Sequence, residues 1–398
     1  MNWAALLIYA LAGQQATLQG FARLDADSLM PGPDSGHFIE ADPAVELPFR
    51  GQPAQGFSAI VPDGNGGYLA LTDNGFGRRD NSADFLLRIY FIRPDFRTAE
   101  GGSGGIRIDG FINLSDPQRH LPWPITADRE WYDEGGGRWP VDPTLAASRL
   151  LTGADLDPES LQRGADGSLW IGDEFGPFLI QLNPDGVVAG PPFALRGLVA
   201  KGGIAAGRQR TRPSLPASRG FEGMARSGQW LYPMLEGALS GQAGQLNIYR
   251  FDTVSRRFLN RCARRPSHRY RLEPEATAIG AFALATETVG LVLERDSGQG
   301  PAALHKKIYR VVLGETDEDG FLVKQEVADL LRIADPHDLN GDGSSQFAFS
   351  FHTPEGLVVL DRNTIGLIND NNYPFGRARG ADAPEATEFI LLETAELW

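Results

Sequence analysis

Apolar residues in this chain come in short runs broken by Gly, Asp, Asn and Pro, and no stretch sustains a period near 3.6. The runs 55–61, 68–72, 85–92, 105–112, 178–182, 246–251, 307–313 and 387–392 therefore read as strands, with 18–28 as an opening strand. Helix should be scarce. Several runs pair into hairpins with one internal interval. Glu222 and Glu236 stand fourteen residues apart around the turn Ser227-Gly228-Gln229. Glu159 and Asp173 repeat the interval around Asp166, and Glu355 and Asn369 repeat it around Arg362. Gly280 and Glu294 keep it without the first acid, and Ser58 and Thr72 keep it around Asn65. Residues equidistant from a hairpin turn face each other, so Glu222 and Glu236 are expected with Cβ atoms ~4.5–5.5 Å apart.

A hairpin followed by outer strands, recurring every ~50–75 residues, is the unit of a β-propeller blade. The long gap from Ser58 to Glu159 leaves room for one more. The expected fold is all-β: a single β-propeller of six or seven blades around a central channel, occupying residues 17–398. Residues 115–150, rich in Pro, Trp and Gly, read as an irregular insertion over one face. Equivalent blade positions converge on the channel. The interval thus predicts a ring of acids at one mouth: Asp73, Glu159, Asp173, Glu174, Glu222, Glu236, Glu294, Glu355 and Asp370.

Composition narrows the chemistry. A chain of 398 residues with 42% apolar and 22% charged positions buries a large core. A net charge of −14 argues against a nucleic-acid partner, because phosphate binding needs a basic surface. The single Cys262 rules out an internal disulfide and any cysteine-built zinc or iron–sulfur site. Six scattered histidines, with no His-x-x-x-His pair, offer no histidine-built zinc site either. The first sixteen residues open with an apolar run closed by Ala10-Leu11-Ala12 and lack a preceding Lys or Arg. They read either as a truncated secretory signal or as a first strand or frayed terminus. No stretch is long enough to span a membrane. Gly101-Gly-Ser-Gly-Gly105 matches a nucleophile elbow in letters only, because it joins strand to strand rather than strand to helix.

An ordered series of short motifs resembles the phytase-like propeller family labelled "esterase-like activity of phytase". It runs through Gly32-Pro-Asp-Ser-Gly36, Gln55-Gly-Phe-Ser58, Asp73-Asn-Gly-Phe-Gly77 and Asn81-Ser-Ala-Asp84. It continues with Asp157-Pro-Glu-Ser160, Asp173-Glu-Phe-Gly176, Gly220-Phe-Glu-Gly223, Glu294-Arg-Asp296, Pro354-Glu-Gly-Leu357 and Asn369-Asp-Asn-Asn372. The resemblance implies a propeller, usually exported to the periplasm or beyond, that hydrolyses phosphate or carboxylic esters. A cytoplasmic protein is the alternative if the first residues are no signal.

Carboxylates are hard oxygen donors, suited to a divalent cation, calcium foremost. The alternative is that the acids cap strand ends. Beside them stand Arg78, Arg79, Arg219, Arg295 and Arg377, which can clamp an anionic substrate or simply neutralise the ring. Glu222 and Glu159 are the candidate catalytic carboxylates, with Arg219 and Arg295 for the substrate. A second candidate metal loop is Asp338, Asn340 and Asp342, whose twelfth position is Phe349 rather than Glu. Ser58, Ser160 and Ser218 lie near the ring, with no histidine placed to activate them. The expectation is a monomeric hydrolase of small anionic or ester substrates; the competing one is a non-catalytic, cation-stabilised binding propeller.

Overall fold

A computed structural model describes residues 15–132, 139–204 and 212–398, so the signal-like residues 1–12 lie outside the described residues. The alternating and apolar runs form antiparallel sheets. The first contains Phe57–Pro62, Tyr68–Thr72, Arg88–Asp95 and Gly105–Asn113, paired in that order. Pro158–Arg163, Leu169–Asp173, Phe178–Leu182 and Phe193–Ala194 make the second. In the third, Gly223–Ser227 pairs with Trp230–Met234. Two short strands, Gln245–Ile248 and Phe251–Asp252, share the other side of Trp230–Met234 and carry His268–Arg271 and Arg257–Phe258 outside them. The fourth comprises Ala278–Leu284, Val289–Arg295, Lys306–Thr316 and Leu322–Asp329.

The fifth sheet joins both ends of the described chain. Thr353–Val359, Thr364–Asp370 and Thr387–Glu393 are completed by Thr17–Leu24 from the N-terminal side. The first strand of each sheet lies against the first strands of two others, in a closed cycle of five. The arrangement is all-β and propeller-like, with helix confined to one short turn, Pro143–Ser148, and two 3-10 segments among the described residues.

The first and fifth of these sheets are joined edge to edge, by a parallel pairing of Arg23 with Gly105, into one ten-stranded sheet. The interval from Ser58 to Glu159 holds the outer strands of the first sheet and the insertion. That insertion is anchored, not loose. Leu121, Ile125, Tyr132 and Leu145 join the core between the first two sheets, and Trp123 stacks on Phe178 at 5.3 Å. Arg149 locks it from beneath through Asp116 at 2.6 Å and Asp128 at 2.8 Å.

The core sits between neighbouring sheets. Phe57, Tyr90 and Phe389 fill the gap between the fifth and first, while Trp170, Phe221, Tyr249 and Phe251 fill that between the second and third. Each such ring buries ~150–250 Å², roughly 4–6 kcal/mol before the entropy of ordering it. Near the axis the strands approach too closely for large side chains. Ser160 Oγ–H donates to the Phe221 carbonyl at 2.9 Å, and Gln162 Nε2–H to that of Met224 at 2.7 Å. A Cβ at Gly280 would stand 2.1 Å from the Pro354 carbonyl oxygen of the next sheet. Gly280→Ala must therefore push two inner strands apart, and should lower stability by at least ~1–3 kcal/mol in chemical denaturation.

Candidate metal centre

One local device aims the acids. In four of the five inner hairpins the ladder slips by one residue near its start: between Phe57 and Ala59, Pro158 and Ser160, Ile279 and Ala281, and Pro354 and Leu357. The slipped positions include Ser58, Glu159, Gly280 and Glu355. A bulge takes a residue out of the pleat and re-aims its side chain. In the third hairpin the ladder starts at Gly223↔Met234, and Glu222 stands immediately before it. Ser58, Glu159, Glu222, Gly280 and Gly356 together line a cavity of about 30 Å³ on the axis, room for a water or an ion.

The bulge also decides which residue of the second strand points inward. Asp73 N–H donates to the Gly56 carbonyl, Glu174 N–H to that of Asp157, and Glu236 N–H to that of Gly220. Asp73, Glu174 and Glu236 are thus equivalent, with Arg295 and Asp370 at the matching positions of the fourth and fifth hairpins. Counted from the bulge, the inward residue is fifteen positions on in four hairpins and fourteen only from Glu222 to Glu236. Glu222 and Glu236 are accordingly not a directly opposed pair, as the interval suggested. Their carboxylates nevertheless meet.

Three groups of carboxylates bring their oxygens within 4.8 Å of one another: Asp157, Glu159 and Glu174; Glu159, Glu222 and Glu355; and Glu174, Glu222 and Glu236. Glu159, Glu174 and Glu222 each belong to two of them. Arg295 Nη2 lies 2.8 Å from Glu236 and 4.0 Å from Glu222, and Arg219 Nη1 lies 2.5 Å from Glu236. Two guanidinium groups face six carboxylates, with Asp73 and Asp370 alongside. Glu174 Oε1, Glu222 Oε1 and Glu355 Oε2 are buried without a hydrogen-bond partner among the described residues. An orphaned carboxylate oxygen in a dry site is costly unless a cation or proton meets it. The donor set, all oxygen and mostly carboxylate, fits a hard divalent cation.

Burial raises the pKa of Glu159, Glu174, Glu222, Glu355 and Asp73 well above the usual carboxylate range, and neighbouring carboxylates add to it. Burial likewise pushes Asp157 and Asp370 up to about 6. It opposes the charge on Arg295 as well, but Glu236, Glu222, Glu355 and Glu174 outweigh it and hold the guanidinium pKa above its ordinary value.

These shifts set the sign of a pH effect. A carboxylate whose folded pKa is raised binds more protons in the native state, so stability falls as pH climbs from the unfolded value towards the folded one. In chelator, the protein should lose on the order of a few kcal/mol between about pH 4 and pH 7. Added calcium should remove that loss in urea melts, because the cation takes the protons' place. A melt that strengthens with pH in chelator would contradict this account.

Not every expected residue reaches the mouth. Asp173 spends both oxygens on the N–H groups of Asp157 (2.9 Å) and Gly176 (2.7 Å), so it caps the strand ends, and burial pushes it to about 7. Glu294 points the other way, into a separate buried network. It accepts from Tyr270 Oη at 2.6 Å and Lys324 Nζ at 2.5 Å, and lies 3.1 Å from His305 Nε2. Burial opposes its charge, yet these partners hold its pKa below the ordinary value. Its neighbour Arg295 takes the inward place. Asp338, Asn340 and Asp342 form a self-bonded turn: Asn340 Nδ2 donates to Asp342 at 2.9 Å, and Gly343 and Ser344 N–H groups occupy Asp338 and Asp342. Arg377 is also elsewhere, on Asp42 at 2.6 Å. Asp157 was missed by the interval. Its carbonyl accepts from the inward residue of the second strand, as those of Gly56 and Gly220 do in the first and third repeats, and only its place beside Pro158-Glu159 hinted at it.

The family model described as phytase-like, esterase-like activity of phytase, matches residues 52–373. The chain belongs to that family. The match covers all five inner hairpins of the phytase-like chain up to Tyr373 and thus every carboxylate of the centre. No curated protein matches it. Among solved structures it is similar to the periplasmic gluconolactonase of Pseudomonas aeruginosa, at 14% identity over 94% of this chain and 99% of that one, with a TM-score of 0.36. It is also similar to the PQQ-bound aldose sugar dehydrogenase of Streptomyces coelicolor, at 11% identity over 95% and 99% of the two chains, with a TM-score of 0.34. Likenesses this weak say nothing of substrate or chemistry. Among the described residues of the phytase-like chain, no helix is long and apolar enough to cross a membrane.

Proposed function

We propose that this phytase-like chain is a single five-bladed propeller acting, outside the cytoplasm, as a divalent-cation-dependent hydrolase of phosphate or carboxylic esters, lactones included. The observation that carries it is the set of buried, unpartnered oxygens on Glu174, Glu222 and Glu355, converging with Glu159 and Glu236. Glu222, shared by two groups as Glu159 and Glu174 also are, is a central ligand, and Asp73 and Asp370 border it. Calcium is the cation of choice for so many carboxylates. When bound, such a cation polarises an ester or phosphoryl oxygen and acidifies a water. Glu159, the most open carboxylate of the three groups, accepts the proton of the attacking water as general base. Arg219, half-exposed beside Glu236, presents its free N–H groups to an anionic substrate.

One observation favours the non-catalytic alternative, a cation-stabilised binding propeller. Both Arg219 and Arg295 are already committed to Glu236, and an arginine held this way neutralises acids rather than substrate. The two readings part in one assay. Protein stripped with chelator and resupplied with calcium, magnesium or manganese is offered a phosphomonoester, a short-chain aryl ester and a lactone. A hydrolase should turn over at least one of them only after resupply. Raised melting temperature with calcium but no turnover of any substrate would leave the binding propeller.

A further inference from the structure

The outer edge of the third sheet reverses the charge of the molecule. Residues 253–272 contain seven arginines and no Asp or Glu, in a chain of net charge −14. Phe258 of the outer strand turns inward, its ring 5.1 Å from Phe251 and 6.2 Å from Phe221. Strand alternation then turns its neighbours Arg257 and Leu259 outward together. Asn260 folds the following loop back onto this hairpin: it accepts from Arg250 N–H at 2.8 Å and donates to the Arg265 carbonyl at 2.9 Å. Arg256, Arg257, Arg261, Arg264 and Arg265 are all exposed along this edge. Arg271 is neutralised by Asp319 at 2.8 Å, and Arg264 spends one N–H on the Ser240 carbonyl. No ion pair within 4 Å forms at Arg257, Arg261 or Arg265 among the described residues, while Arg256 stands close enough to Asp166 to help lower the pKa of that carboxyl.

Aliphatic side chains stand among these cations. Val254, at the hairpin tip, is 74% exposed and Leu259 43%. Cations with protruding aliphatics are the make-up of an interfacial surface, in which charge meets headgroups and apolar tips enter the boundary beneath. We propose that this edge is a docking surface for an anionic phospholipid bilayer, its arginines on the headgroup phosphates and Val254 and Leu259 in the acyl boundary. A nucleic acid fits less well. Single strands need exposed aromatic faces for stacking, and the large apolar side chains exposed on this edge are aliphatic. Docking by the outer edge leaves the channel mouth free, because the patch lies at the far end of its sheet from the inner strand.

The test is sedimentation of the full chain with vesicles of phosphatidylcholine alone, or mixed with phosphatidylglycerol. The mixed vesicles should carry the protein down, the neutral ones should not, and about 0.5 M salt should release it. Each basic residue contributes about one elementary step of attraction, so Arg256→Glu with Arg257→Glu and Arg261→Glu should weaken partitioning at least ~100-fold. The matching Arg→Gln triple should fall between, which separates charge from misfolding. Val254→Asp, with all arginines intact, should also weaken binding. No binding to mixed vesicles at low salt, or undiminished binding of the triple Glu variant, overturns the proposal. Undiminished binding of Val254→Asp, or tighter binding to duplex DNA than to vesicles, would overturn it in favour of a soluble polyanion.

Discussion

Glu222→Gln should leave the fold intact and remove ~10²–10⁴ of the cation-dependent hydrolysis. The amide is nearly isosteric with the carboxylate, and Glu222 Oε1 has no hydrogen-bond partner among the described residues to lose. What disappears is one negative charge shared by two ligand groups, Glu159–Glu222–Glu355 and Glu174–Glu222–Glu236. Cation affinity should fall with it, so the calcium concentration giving half-maximal activity should rise as kcat/KM falls. Glu159 is likewise shared by two groups, so Glu159→Gln should also raise the calcium requirement, but its rate loss should persist at saturating calcium, because a lost general base costs a comparable factor. Titration calorimetry of both variants with calcium, beside ester hydrolysis, separates the two roles. Unchanged calcium affinity in Glu222→Gln would move the cation off this centre.

The second large effect belongs to Arg295, the one basic residue among the five inward positions of the second strands. Arg295→Met keeps much of the length and removes the charge. Glu236 and Glu222 then face each other with only the partly exposed Arg219 to offset them. Breaking a buried ion pair from one side typically costs 3–5 kcal/mol. In chelator at pH 8 the variant should lose about that much in urea melts. At pH 5 the loss should shrink, because the raised carboxylates then carry protons. Calcium should shrink it too. An equal loss at both pH values would assign the effect to lost packing instead of charge.

Much of this centre was legible along the chain. The hairpins, the scarcity of helix and the convergence of Glu159, Glu222, Glu236 and Glu355 all follow from strand periodicity and a repeated interval. So does the family, through motifs that sit on those hairpins. The interval failed for Asp173 and Glu294, each one residue short of the inward position. Side chains alternate with a period of two, so one slipped residue exchanges the faces of everything beyond it. In four hairpins that slip falls at the first of the two positions being counted. Only the third, whose ladder starts later, makes the counted pair the inward pair.

Sequence alone thus determines that acids recur at the ends of five hairpins, because the pattern of strands and turns is local. The tertiary structure decides which of them meet. Gly280 carries no side chain because the Pro354 carbonyl of another sheet occupies the space, and Arg295 stands in the fourth inward position among carboxylates from the other four sheets. Closure is equally non-local: Thr17–Leu24 completes a sheet with Thr387–Glu393 from the far end of the chain. No run of neighbouring residues encodes these contacts. They arise when five twisted sheets pack around one axis, where strand separation, and not propensity, sets which side chains fit.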